Sequence, residues 1–316
     1  MNANQADKFF FQFKNNHLKK EYLSFVEDMK NDEKGFWMNI FNANYDQVEE
    51  NIKKNPYLLF SEIAGTGIKN VLFWITKFAD LELLEIIPNN QIKMLYQILN
   101  KDQELAIISL IPHFEYEPER SKKIIKRLIE AGVDLNLQDY YGDNMISMLL
   151  TKFNFKNEEA FNDEIIQLAE KNNFDFNKPI NQENNLLFVL YKSHLNKINV
   201  INKLLKTTKI NIFFKDSRGN NLMHIASSSY TNSQKIKNLL LNNDCLKILL
   251  LDKNNDGFYP HQVLEKYIKE NDEKIYYDRD FKEVYKLIYA EFERQNLNKD
   301  IGNLVNDFKS KEINKL

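Results

Sequence analysis

Three groups of side chains have the types and spacing that chemistry requires. Asp252, Asn254 and Asp256, followed by Gly257, place oxygen donors at alternate positions, as at the opening of a calcium loop. Such a loop closes with a bidentate glutamate at its twelfth position, which here is Val263. Cys245 and His224 are the types of a thiol–imidazole pair, in which the imidazole takes the thiol proton and the thiolate attacks. They lie in different segments, and Cys245, beside Leu246 and Ile248, reads as a small core residue. His17, His113, His194, His224 and His261 are scattered, and no two have the i, i+4 spacing of a helical zinc pair. Lys122, Lys123, Lys126 and Arg127 form a basic stripe. Acidic neighbours and a formal net charge of −2 favour a solvated face there over contact with nucleic acid. Phosphate-binding glycine loops, the Gly-x-Ser-x-Gly elbow and the kinase signatures are all missing. The reading therefore assigns no catalytic residue, no metal ligand and no cofactor.

Composition sets the frame for these residues. Of 316 residues, 43% are hydrophobic and 28% charged, enough apolar material to offset the entropy lost on folding. Eight glycines and six prolines are few for an all-β fold with many tight turns, whereas Phe (23) and Tyr (15) are plentiful. The abundance of Asn and Lys is what an AT-rich genome produces. A lone cysteine forms no intrachain disulfide and suits a reducing compartment. The apolar run Phe9–Phe11 is too short for a secretory leader, and no run approaches the ~20 residues that span a bilayer.

Laid against itself, the chain repeats. Segments opening at Asn70, Asn144, Asn185, Asn221 and Tyr259 each pair a polar first residue with an apolar stretch, and Phe36–Phe41 and Glu104–Ser109 fall at matching intervals. Seven units thus start near positions 36, 70, 104, 144, 185, 221 and 259. Asn suits the opening position because its side-chain oxygen accepts a first-turn amide as an N-cap. A second apolar stretch follows with helical spacing, as in Ile124, Ile125, Leu128 and Ile129, or Val200, Ile201, Leu204 and Leu205. The unit is helix, turn, helix, loop. A single pair has too little core to stand alone, so neighbours must stack.

The loops carry the resemblance. Asp139–Gly142 leads into the helix at Asn144, Asp216–Gly219 into the one at Asn221, and Asp252–Gly257 into the one at Tyr259. These loops resemble those of the ankyrin-repeat family, in which an Asp-x-x-Gly turn precedes a helix opening Thr-Pro-Leu-His-x-Ala. Here Asp216, Gly219, His224 and Ala226 keep four of the pattern's positions, Asn-Leu-Met replaces Thr-Pro-Leu, and Pro260 keeps a proline. The resemblance is strongest over 124–265 and weaker over 36–123. It gives the residues of the calcium-like loop, and His224, a plain structural reading. The units run longer than the family's period of about 33 residues.

The expected fold is all-α, an ankyrin-type α-solenoid of about seven helix pairs over 35–270. Helical caps are expected over 1–34 and 271–316, the latter ending in a polar tail. Apolar sides over 5–31 and 280–296, and a last helix near 300–309, supply those caps. The resemblance implies a non-catalytic scaffold or adaptor that holds a protein partner on a concave face made by loop tips and first helices. Tyr140, Tyr141, Lys215, Arg218, Asn254 and Phe258 are the tip residues expected to touch that partner. The polar tail and composition also resemble ankyrin-repeat effectors of intracellular bacteria, which implies a bacterial or host cytosolic location. Two other readings stand beside it: an enzyme whose site is built on a divergent solenoid, and a self-associating regulatory subunit.

Overall fold

The computed structural model describes residues 30–152, 158–180, 184–193, 197–206, 210–228, 233–270 and 279–297. Apart from residues 30 and 31, the expected helix over 5–31 lies outside the described residues, as do the segment near 300–309 and the polar tail. Among the described residues the chain forms α-helices and short 3-10 helices, with antiparallel pairing only as isolated bridges at Ile63–Ile68 and Ile180–Asn184. The fold is all-α. No helix among the described residues is long and apolar enough to cross a membrane.

The chain separates into two compact units within the span read as one array. The first takes the described residues of Met1–Leu149 and Leu168–Phe174, the second those of Leu150–Lys152, Asn157–Gln167 and Asp175–Leu316. In the first unit α1 (Asn31–Phe41) turns into α2 (Tyr45–Lys54) through Ala43 at φ 52°. Phe36–Phe41 is therefore the second half of a helix rather than the start of one. Then come α3 (Val71–Phe78), α4 (Leu81–Glu85), α5 (Asn89–Tyr96), α6 (His113–Tyr116) and α7 (Pro118–Ala131). Trp74 on α3 is fully buried against Phe41 (4.9 Å between ring centroids), Trp37 (5.9 Å) and Phe78 (4.2 Å). These rings join α1 to α3. Truncating such a side chain to alanine typically costs about 3–5 kcal/mol.

α8 (Met145–Lys152) and α9 (Glu158–Lys171) supply residues to both units. The second unit continues with α10 (Leu186–Lys192), α11 (Ile198–Leu204), α12 (Leu222–Ser227), α13 (Ser233–Asn242), α14 (Asp244–Lys247), α15 (Pro260–Glu270) and α16 (Arg279–Leu297). α12 packs on α10 and α15, and α16 closes over α13 and α15. Pro260 opens α15 at a position whose N–H has no helical partner in any case.

Asparagine sets the helix starts. Asn70 Oδ1 accepts the amides of Leu72 (2.9 Å) and Phe73 (3.3 Å), and Asn144 Oδ1 accepts that of Ser147 (2.9 Å). Asn185 Oδ1 accepts from Phe188 (3.0 Å), and Asn221 Oδ1 from Met223 (3.0 Å) and His224 (3.1 Å). All four are buried, so each cap sits where an unpaired amide costs most. Two of them do a second job. Asn70 Nδ2 donates to Leu95 O (3.1 Å) and Asn221 Nδ2 to Leu249 O (2.8 Å), tying a first helix to the far end of its own repeat.

The repeat at Glu104 departs from the others. Its apolar stretch is a 3-10 helix, Ala106–Leu110, followed by the single turn of α6. Pro112 has no amide to donate, and β-branched Ile107, Ile108 and Ile111 disfavour an α-helix, so the stretch tightens instead.

Candidate functional site

One turn recurs ahead of the first helices, and it positions the tips. In Asp139–Asp143, Asp139 Oδ1 accepts the amides of Tyr141 and Asp143, both at 2.9 Å. Gly142 N donates to Asp139 O (3.0 Å), and Asp139 N to Asp143 O (2.9 Å). In Asp216–Asn220, Asp216 Oδ1 takes Arg218 N (3.0 Å) and Asn220 N (2.8 Å). In Asn254–Phe258, Asn254 Oδ1 takes Asp256 N (3.1 Å) and Phe258 N (3.0 Å). The fourth residue is left-handed each time: Gly142 (φ 80°), Gly219 (φ 74°) and Gly257 (φ 81°). A short side-chain acceptor at the first place and freedom at the fourth are the two requirements of such a turn.

Neighbouring turns lock together within each unit. In the first, Tyr140 N donates to Gln103 O (2.9 Å). In the second, Asn255 N donates to Arg218 O (2.9 Å), Asn254 Nδ2 to Asn220 Oδ1 (3.0 Å) and Asn255 Nδ2 to Ser217 O (3.1 Å). His224 adds a fourth tie, its Nε2 lying 2.9 Å from Phe258 O while Nδ1 faces Asn221. These bonds fix the backbone and leave Tyr140, Tyr141 and Arg218 exposed at the second and third places of their turns.

The tip residues named from sequence fall into two sets. Tyr140 and Tyr141, in the first unit, are 75% and 58% exposed and pack edge to face, 5.5 Å between centroids. In the second unit Arg218 is exposed, Lys215 pairs with Asp252 at 3.2 Å, and Phe258 is 37% exposed with Lys266 Nζ 5.7 Å from its ring centre. Asn254 differs from the other five. Its oxygen and its amide are both engaged by the turns, so it shapes the tip rather than presenting a free group.

The other chemical groupings resolve into structure. Asn254 Oδ1, a would-be calcium ligand, accepts the chain's own amides, and Asp252 is held by Lys215. Among the described residues no group of three or more His, Cys, Asp and Glu is placed to hold a metal. His224 is buried, which holds its imidazole below the usual range, although Phe258 O opposes that shift. Cys245 is half-buried on α14. The basic stripe of α7 is largely engaged. Lys122 pairs with Glu119 (2.8 Å), and Arg127 reaches Asn89 Oδ1 (2.6 Å) and Ile87 O (3.1 Å). Arg120, one turn earlier, holds Glu82 and Ala79 O and so fastens α7 to α4.

Two features escaped the sequence. The first is a further copy of the turn, Asn100–Glu104, in which Asn100 Oδ1 takes Asp102 N and Glu104 N, both at 2.9 Å. Its left-handed residue is Gln103 (φ 60°), so a search for glycine passes over it. The signal that finds it is an Asx residue 39 positions before Asp139. The second is Asp80, fully buried at the start of α4. Its carboxylate accepts from Tyr45 Oη (2.9 Å), Leu83 N (3.0 Å) and Trp74 Nε1 (3.2 Å). Burial pushes its carboxyl up to about 6 in spite of those donors. Compared with the models of known protein families and with curated proteins, the chain matches none.

Proposed function

We propose that the chain is a non-catalytic protein-binding scaffold of ankyrin type that docks a protein partner on its turn tips. The observation that carries this reading is the shared turn. Four turns repeat the same side-chain-to-amide pattern, and three keep glycine at the fourth place. A backbone held this firmly presents its tip side chains with little entropy left to lose on binding. Tyrosine and arginine, the types that concentrate binding energy at interfaces, stand at the exposed places.

The test is capture from eukaryotic cell lysate by the full chain. It is compared with a variant carrying Tyr140→Ala, Tyr141→Ala, Arg218→Ala and Phe258→Ala and melting within a few degrees of the parent. A specific protein bound by the parent and lost by the variant is the expected result. A protein retained equally by both removes the tips from the interface.

A further inference from the structure

We propose that the tyrosine-bearing tip of the first unit recognises an arginine-bearing peptide segment, the guanidinium seated on Tyr140 and Tyr141 and met by the Asp102 carboxylate. The inference rests on the docking role of the tips and names the chemistry of the partner. Tyr140 N is bonded to Gln103 O, which brings the turns Asn100–Glu104 and Asp139–Asp143 side by side. Their charged residues are Asp102, Glu104, Asp139 and Asp143 with Lys101, and Asp139 is buried within its own turn. Asp102 is exposed, and among the described residues no cation is paired with it. The Glu104 carboxylate accepts from a neutral donor, Asn100 Nδ2 at 2.9 Å. The rings of Tyr140 and Tyr141 are 75% and 58% exposed and stand edge to face, so each offers a π-face or edge to an incoming group.

Charge complementarity selects the occupant. A cation gains from both the ring quadrupoles and the carboxylates, whereas an anion is opposed by both. Arginine fits better than lysine because its planar group stacks on a ring while its N–H fork meets a carboxylate. The second unit offers a different field. Its turns carry Asp216, Asp256 and Arg218 and are flanked by Lys215, Lys253 and Asp252, so charges of the two signs balance there. The two tips therefore do not share one class of ligand.

Fluorescence anisotropy of the full chain with three labelled octapeptides, alternating Gly-Arg, Gly-Lys and Gly-Glu, tests this at low and physiological salt. The Gly-Arg peptide is expected to bind several-fold more tightly than Gly-Lys, and Gly-Glu not at all. Replacing both tyrosines by alanine is expected to weaken Gly-Arg binding about tenfold, at roughly a factor of three per ring. Replacing both by phenylalanine, which keeps the rings, is expected to hold affinity within about twofold, and Asp102→Asn to cost about threefold. Arg218→Ala with Phe258→Ala, on the other unit, is expected to change nothing. Equal binding by the double-alanine variant, or no Gly-Arg binding up to about 1 mM, overturns the proposal. So does tighter binding of Gly-Glu. A lysate partner lost by the tip variant, with no response to Gly-Arg, removes the arginine assignment and leaves tip docking standing.

Discussion

The turn Asn100–Glu104 of the first unit and the turn Asp216–Asn220 of the second make the same hydrogen bonds around different residues. Each has an Asx oxygen taking the third and fifth amides, yet the left-handed place holds Gln103 in one and Gly219 in the other. Gln103 is exposed, so its side chain has room. Gly219 is buried beneath the next turn, and a Cβ there would meet the side chain of Asn255 and, at 2.9 Å, its backbone N. The turn itself thus depends on its first residue. Glycine becomes obligatory only where a neighbouring turn presses on the fourth.

That contrast sets the largest predicted effect. Gly219→Ala meets both the left-handed penalty, about 1–2 kcal/mol, and an overpacking cost of about 1–3 kcal/mol against Asn255. Urea denaturation of the full chain is expected to show a loss of about 3 kcal/mol. The same variant should lose protection from hydrogen exchange at Asn255 N, whose acceptor is Arg218 O. A loss under 1 kcal/mol would mean that the two turns separate without cost, and the stacking argument would fail.

The units also differ in the polar groups they bury, and the difference has opposite signs with pH. Asp80 holds its proton in the folded first unit up to about pH 6, whereas the unfolded chain releases it near 3.8. Its contribution is fully present below about pH 4 and is lost as pH rises through about 6, a change on the order of 3 kcal/mol. In the second unit burial holds both His224 and His261 below the ordinary imidazole value. Their contribution is present above the unfolded value of about 6.5 and declines as pH falls below it. Acidification from pH 7 to 4.5 thus favours Asp80's surroundings and opposes those of the two histidines. Both tryptophans of the chain, Trp37 and Trp74, belong to the first unit, so their fluorescence follows that unit alone. Stability read this way is expected to fall from pH 4.5 to 7 in the parent relative to Asp80→Asn. Amide exchange in α12, corrected for intrinsic rate, is expected to move the other way. Parallel pH curves for parent and Asp80→Asn would show that Asp80 is ionised throughout.

Much of this was legible in the sequence, for local reasons. Asn70, Asn144, Asn185 and Asn221 mark their helix starts because an N-cap acts on the next three residues, so the signal and its effect lie side by side. The turns at Asp139 and Asp216 were equally readable, and the first of them carries the exposed Tyr140 and Tyr141. What was hidden depends on distance along the chain. Tyr45 meets Asp80 across 35 residues, and Arg120 meets Glu82 across 38, so no window of sequence contains either pair. The stripe of α7 read as a solvated face because the acceptors of Arg127, Ile87 and Asn89, lie 40 and 38 residues earlier in the chain. The separation into two units was hidden for the same reason, since the repeat spacing continues through it. Asn254 was misleading in another way, because a polar residue at a tip can be used up by the tip itself.

The smallest effects sharpen the opening comparison most. At Gly257 (φ 81°) an added Cβ has nothing within 4 Å, so Gly257→Ala carries the left-handed penalty without the clash. A loss of about 1 kcal/mol is expected, well short of that at Gly219. Gln103→Gly is the converse change. It removes the left-handed strain, worth about 1 kcal/mol, but gives the unfolded chain more freedom, worth about 0.5–1 kcal/mol in the other direction. The two nearly cancel, and a shift within about 0.5 kcal/mol is expected from urea denaturation. If Gln103→Gly stabilised the first unit by 2 kcal/mol or more, the glutamine would be a strained residue held for another purpose. If Gly257→Ala cost as much as Gly219→Ala, φ alone would set the need for glycine, and the pressure of Asn255 on its neighbour would explain nothing.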